Sequence, residues 1–307
     1  MSEPEALPDF VEPMLAKAGP AFDSDDHVFE IKWDGMRTLA FVERGEVRLV
    51  NRRRNVVTAR YPDILGLARL PDGCVLDGEI VVHHDGKPAF ERLLQREQVR
   101  DERRIRTLMS THPATYMAFD VLYEGFAARM DQPLRERRDI LQGLIGDLGD
   151  PRIFFSDGVI GAGVEFFGQA CAQELEGVVA KRLESRYRPG RRTDAWTKVK
   201  RAQTVYCAIL GWHPDDKDPA DFRSLVIATD VDGELTFCGR VGSGIGHELR
   251  ATLNRVLRER HSPDPIVAAD GPAEWIDPVL FCTVTFLEKT EAGHLRAPRL
   301  DEVMWES

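Results

Sequence analysis

Glu30-Ile31-Lys32-Trp33-Asp34-Gly35-Met36-Arg37 sets a lysine against an apolar strand, with an acid two residues on, then a turn glycine and an arginine. Lysine is rarely buried unless it is paired or used in chemistry. A desolvated lysine near other cations loses its proton more readily and becomes a nucleophile. Lys32 is therefore a candidate nucleophile, and the competing reading is a strand end carrying an ordinary surface lysine. A K-x-D-G match is common by chance, so the rest of the chain has to decide.

The chain has 307 residues, room for two domains, and the apolar content of a globular protein. No apolar run reaches the roughly 20 residues that span a membrane. The acidic N-terminus, Met1-Ser2-Glu3-Pro4-Glu5, lacks a signal-peptide core, which predicts a cytoplasmic protein. Five scattered cysteines form no Cys-x-x-Cys pair, so neither a zinc site nor a disulfide framework is indicated. The net charge of -10 argues against a nucleic-acid partner until its distribution is examined. Residues 31–200 hold 29 Lys+Arg against 25 Asp+Glu, between acidic flanks. Local patches rather than total charge bind phosphate.

Residues 1–27 read as an irregular lead-in, and 28–31 as a buried strand. Segments 38–42 and 46–50 alternate as a hairpin. Asn51-Arg52-Arg53-Arg54-Asn55 places three arginines after a strand, either as a solvated run or as a phosphate clamp. Segment 74–82 is a strand in which Glu79 needs a hydrogen-bond or metal partner if buried. His83 and His84 fit a turn surface better than a metal site, because neighbouring strand residues point to opposite faces. Residues 90–108 read as one arginine-rich helix, mostly a solvated face, and 115–122 as a strand ending near Phe119 and Asp120. Helices are predicted over 133–148 and 164–175.

Strand 176–181 follows, and residues 181–201 hold nine Lys+Arg against two acids. In Trp196-Thr197-Lys198-Val199-Lys200 the alternation puts Trp196, Lys198 and Lys200 on one face. Two lysines side by side repel unless an anion lies between them. After Arg201 short strands at 206–212, 224–229, 235–241 and 279–287 with a helix at 247–260 fit a small β-barrel of OB type. Val241-Gly242-Ser243-Gly244-Ile245-Gly246 lacks the full phosphate-loop fingerprint and reads as a barrel turn. No serine-hydrolase elbow, H-E-x-x-H or Walker lysine loop occurs.

Taken in order, these segments resemble the ATP-dependent DNA ligases, and more specifically the ligase module of bacterial end-joining ligases. Lys32-Trp33-Asp34-Gly35, with Arg37, resembles the nucleophile motif. Asn51-Arg52-Arg53 resembles the arginine motif that follows, where the family usually has serine at Asn51 and glycine at Arg54. Asp77-Gly78-Glu79, Ala118-Phe119-Asp120, Glu176-Gly177-Val178-Val179-Ala180-Lys181 and Trp196-Thr197-Lys198-Val199-Lys200 resemble the next four. Gly239-Arg240-Val241-Gly242-Ser243-Gly244 and Gly293-His294-Leu295-Arg296-Ala297-Pro298 resemble parts of the OB domain. There the family's R-x-D-K ending is replaced by Arg299-Leu300-Asp301-Glu302.

The resemblance implies an α+β chain. Residues 1–200 would form an adenylation (nucleotidyltransferase) domain, ATP-grasp-like, with antiparallel sheets and flanking helices. Residues 201–307 would form an all-β OB-fold domain, with a hinge near 200–203. It implies that Lys32 attacks the α-phosphate of ATP to give lysyl–AMP, that AMP passes to a DNA 5′-phosphate, and that a 3′-hydroxyl then displaces AMP. Lys198 and Lys200 would supply the positive field. Phe119 would stack on adenine, Glu30 would meet its exocyclic amine, and Glu79 would bind the ribose. Glu176 would hold Mg2+ or Mn2+, with Glu79 and Asp34 as further carboxylates, and Asp34 would also support the 3′-hydroxyl. Arg37 and Arg52 would hold the nick 5′-phosphate and Arg192 another phosphate. Arg296, then Arg299, is the candidate from the barrel for the first step.

The implied partners are nicked or broken duplex DNA and a Ku-type end binder. The expected form is a nucleoid-associated monomer in the cytoplasm, with no membrane partner. The rival readings are an RNA ligase or mRNA-capping guanylyltransferase, which share the lysine chemistry, and a non-catalytic nucleic-acid-binding module. The intact Lys32, Glu79, Glu176, Lys198 and Lys200 argue against the last.

Overall fold

The computed structural model describes residues 6–215, 218, 221–231, 233–268, 273–290 and 292–305. The chain divides into two compact units, Met1–Lys200 and Arg201–Ser307.

In the first unit the strands are β1 (Leu15–Ala18), β2 (Ser24–Ile31), β3 (Met36–Glu43), β4 (Glu46–Asn51), β5 (Cys74–His84) and β6 (Lys87–Pro88). Helices α1 (Phe90–Glu97) and α2 (Glu102–Thr111) precede β7 (Ala114–Glu124) and β8 (Ala127–Ala128). Then come α3 (Leu134–Leu148), β9 (Ile153–Phe155), β10 (Gly158–Gly161), α4 (Gly163–Ala172), β11 (Gly177–Arg182) and β12 (Arg192–Lys200). One sheet runs β1-β12-β11-β2-β10 and the other β4-β3-β5-β7-β8. All ladders are antiparallel except β1 on β12 and β7 on β9.

The period-2 alternation of strands sorts β3 between two cores. Leu39 and Phe41 join Met14, Val75, Leu122, Tyr187 and Trp196 between the sheets. Ala40 and Val42 face the other way, with Leu76, Ile80 and Tyr116 packed under Leu141, Ile145 and Leu148 of α3. Helix α4 covers the outer face of the first sheet through Ala170, Phe166 and Phe167 against Val178 and Val199. Truncating a buried leucine such as Leu76 to alanine costs about 2–5 kcal/mol in such a core.

Two expectations need correction. The lead-in is not irregular throughout, because 15–18 pairs with β12 and β2 begins at Ser24. The arginine-rich helix is two helices. The Asp101 side chain accepts from Arg104 N at 2.9 Å and caps α2, while Val99 turns inward. Nor is every arginine solvated: Arg96 is 1 % exposed and bidentate on Asp63 at 2.7 and 2.8 Å. Arg54 has φ 63°, a left-handed conformation that glycine adopts without strain. Asn51 Oδ1 accepts from the backbone of Arg53 and Asn55, both at 3.0 Å, and so shapes that turn.

The second unit contains β13 (Gln203–Pro214), β14 (Phe222–Val231), β15 (Glu234–Val241), α5 (His247–Glu259), β16 (His261–Ser262) and β17 (Glu274–Phe286). The short pair β18 (Glu288–Lys289) and β19 (Leu295–Arg296) precedes β20 (Arg299–Met304). The sheet runs β15-β14-β13-β17-β16, with β20 also on β17. Its interior holds Ile209, Phe222, Leu225, Ile227, Leu280 and Val284, with Leu253 and Leu257 of α5. The 241–246 stretch connects β15 to α5 rather than two strands. Ser243 bridges to Arg299 and its carbonyl accepts from Leu300 N at 2.9 Å, which draws the β15 end to β20. The unit is α+β only through α5 and otherwise has the all-β character of an OB fold.

Candidate active site

Lys32 follows β2 directly, where the chain leaves one sheet to begin β3 of the other. The crossing is tight, since a Cβ on Gly35 would collide with the Ile80 carbonyl and the Glu79 side chain. The ladder of β2 with β11 pairs Ile31 with Val178, and Lys32 N donates to Gly177 O at 2.9 Å. Gly177 has φ 144°, and a Cβ there would strike the Val199 carbonyl. These constraints bring Glu176 beside Lys32. Lys32 Nζ donates to Glu176 Oε2 at 2.5 Å, and Lys200 Nζ lies 2.9 Å from Glu176 Oε1. The anion that Lys200 requires is thus the protein's own Glu176.

Glu30, Lys32, Arg37, Arg52, Glu79, Phe119, Arg192 and Lys198 line one cavity of about 260 Å³, together with Trp33, Lys181 and Trp196. Glu176, Lys200 and Asp34 do not line it. Asp34 nonetheless feels the same charges. Burial and then the Glu176 carboxylate push its pKa up, against the pull of Lys32 and Lys200. Burial pushes Glu79 up to about 8, against the pull of Lys32 and Arg37. The Glu79 carboxylate has no hydrogen-bond donor among the described residues, as an acid left available for a ligand would not.

Phe119 meets Trp196 edge to face at 6.3 Å between centroids, and Lys181 Nζ lies 4.3 Å from the Phe119 centroid. Cation–π contact of this kind fixes a ring's position.

Other placements depart from expectation. Arg37 is bidentate on buried Asp77, with Nε to Oδ1 at 3.0 Å and Nη2 to Oδ2 at 2.6 Å, and also donates to Met14 O at 2.6 Å. Its fork is filled by the protein rather than left open for a phosphate. Arg192 donates to the Ala16 carbonyl, whereas the Arg52 side chain has no partner among the described residues. Glu30 is not free either, because Arg138 and Lys181 both donate to it. Arg296 and Arg299 are exposed in the second unit.

Reading by residue type missed Lys181, Arg138, Arg137 and Asp77. Buried arginines on a helix look solvated in sequence. The available signal was the acid buried opposite each: Glu30, Asp120 and Asp77 all sit in apolar strands.

No group of three or more His, Cys, Asp or Glu able to hold a metal exists among the described residues. The donor set therefore does not fit a cage of Glu176, Glu79 and Asp34. It fits a hard cation that arrives on nucleotide phosphates and takes one carboxylate from the protein, the usual habit of Mg2+.

A family described as ATP dependent DNA ligase domain matches residues 13–200, and one described as ATP dependent DNA ligase C terminal region matches residues 219–304. The multifunctional non-homologous end joining protein LigD of Mycobacterium bovis is 33% identical over 302 residues, which is 94% of this chain but 38% of that protein. The chain thus spans well under half the length of that relative. The SPbeta prophage-derived DNA ligase-like protein LigB of Bacillus subtilis is 30% identical and matches 95% of this chain and 98% of its own length. The crystal structure of the ligase domain from M. tuberculosis LigD shares 31% identity, with TM-score 0.59, covering 96% of this chain and 95% of that one. A mycobacterial DNA ligase D complexed with ATP and MES has TM-score 0.57 and 31% identity over 97% of this chain and 96% of that one. From residue 13 to residue 304, with the nucleophile stretch, the carboxylates and the paired lysines in place, this chain belongs to the ATP-dependent DNA ligase family.

Proposed function

We propose that the chain seals 5′-phosphate/3′-hydroxyl breaks in duplex DNA, with ATP as AMP donor, by way of lysyl–AMP on Lys32 and then DNA-adenylate. The observation that carries the reading is the Lys32–Glu176–Lys200 arrangement beside a cavity lined by Phe119 and Glu79. In the first step the Lys32 Nζ lone pair forms a bond to the α-phosphorus, the bond to the pyrophosphate oxygen breaks, and the amine proton leaves. Glu176 is in contact with that amine and is placed to take part in its proton balance. Lys198 and Lys200 offset charge on the phosphate as pyrophosphate departs. A divalent cation, Mg2+ or Mn2+, would supply Lewis acidity there, with Glu176 as the protein carboxylate.

Glu79 accepts from a ribose hydroxyl and Phe119 stacks on the base. Arg52 and Arg192, both exposed at the cavity, bind DNA phosphate, whereas Arg37 acts mainly by holding Asp77. A role in double-strand break repair, with a Ku-type end binder as partner and the enzyme as a monomer, is supported by the end-joining names of the LigD relatives. Among the described residues no helix is long and apolar enough to cross a membrane.

Nick sealing tests the reading. Gel-resolved joining of a nicked DNA duplex should require ATP and a divalent cation. Preference for nicked RNA, or for GTP, would move the chain to the RNA ligases or capping enzymes.

A further inference from the structure

We propose that Arg138 and Lys181 determine the nucleobase preference of the cavity by aiming the Glu30 carboxylate at the base edge. The inference rests on the adenylyl-transfer reading and adds the residues that discriminate between nucleotides. Glu30 lines the cavity, yet its side chain is only 2 % exposed. Each oxygen has its own cation: Arg138 Nη1 donates to Oε1, and Lys181 Nζ donates to Oε2 at 2.8 Å. A buried ion pair adds little to stability over apolar packing, so an acid kept at a ligand cavity points to recognition.

A carboxylate is acceptor-only and offers about four lone-pair directions. With two taken by cations, the others accept from an exocyclic amine and repel a carbonyl. Adenine presents an amine at position 6, where guanine presents a carbonyl.

Both cations are themselves pinned. Arg138 Nη1 also donates to Ser156 O at 3.2 Å, and its guanidinium lies 4.6 Å from the Phe155 centroid. Lys181 lies 4.3 Å from the Phe119 centroid and 4.6 Å from the Trp196 centroid, and Nζ is 3.4 Å from Phe119 O. One ammonium thus ties the acid that reads the base edge to the ring that stacks on the base plane. On the same helix Arg137 is bidentate on Asp120, next to Phe119, at 2.7 and 2.9 Å. Arg138 does not line the cavity and acts through Glu30 as a positioning residue.

The test measures kcat/KM for lysyl–AMP or lysyl–nucleotide formation by the full chain with ATP, GTP and purine riboside triphosphate, which lacks the 6-amine. The wild type is expected to favour ATP over purine riboside triphosphate by about tenfold or more, the worth of one charge-assisted hydrogen bond. Glu30→Gln, Arg138→Gln and Lys181→Met should each shrink that ratio towards one, whereas damage to packing alone lowers all three nucleotides together. Arg138→Lys keeps the charge and should restore part of the ratio; it also serves if Arg138→Gln does not fold. A wild type that uses purine riboside triphosphate as well as ATP overturns the proposal. So do variants that label with ATP but keep the wild-type ratio. A wild type that forms no lysyl–AMP at all overturns the functional reading instead.

Discussion

Lys32 Nζ lies 2.5 Å from Glu176 Oε2, across the ladder that pairs Ile31 with Val178. The two side chains meet because one leaves the end of β2 and the other enters β11, so the contact is set by backbone pairing. Glu176→Gln should leave the fold intact. It removes the charge that orients Lys32 and Lys200, and should slow lysyl–AMP formation by about tenfold or more. Single-turnover labelling with ATP carrying a radioactive α-phosphate reads this directly, with thermal unfolding as the control.

Phe119 is the ring placed to stack on the base, and base–aromatic stacking is worth about 1–3 kcal/mol. Phe119→Ala should raise KM for ATP in the adenylation step roughly tenfold or more, with a smaller change in the rate at saturation. An unchanged KM would return Phe119 to the role of plain core.

Arg96 and Asp63 form a buried pair in the first unit, and neither residue lines the cavity. Removing one partner leaves the other charge buried, at a cost of about 3–5 kcal/mol. Asp63→Ala should therefore lower the urea midpoint strongly, while lysyl–AMP formation per folded molecule stays at the wild-type rate. Loss of activity without loss of stability would contradict the structural role.

Glu79 gives a pH signature. Its ordinary value is 4.5, and burial raises it to about 8 in the folded chain. Between those values the folded state binds the proton and the unfolded state does not, so stability falls as pH rises. The contribution is full below about 4.5 and lost as pH passes 8. Asp34 is also raised and acts in the same direction, whereas His27 and His83 are lowered by burial and act in the opposite one. The difference between the wild type and Glu79→Gln isolates the Glu79 part. Urea midpoints measured from pH 5 to 8.5 should fall less steeply with pH for Glu79→Gln than for the wild type.

The strands and the lysine–carboxylate constellation were legible in the sequence because both follow local rules. Alternation located β3, β5, β7 and β12. The charges of Lys32, Glu79, Glu176 and Lys200 stood out against apolar strands. Long-range partners were not legible. Sequence spacing does not reveal that Asp77 occupies Arg37, or that Glu176 lies between two lysines, since each contact joins residues far apart in the chain. The break between α1 and α2 was hidden because the arginine pattern continues through it, and only the Asp101 cap marks the restart. The four-residue β1 carries too little pattern to be read without its partner β12.

The central claim is a covalent bond between Lys32 Nζ and AMP. Its most direct test is peptide mapping by mass spectrometry after incubation with ATP and magnesium, for the wild type and Lys32→Ala. AMP should be found on the peptide containing Lys32 in the wild type and on no peptide of Lys32→Ala. AMP on a different lysine, or labelling that persists in Lys32→Ala, would contradict the account.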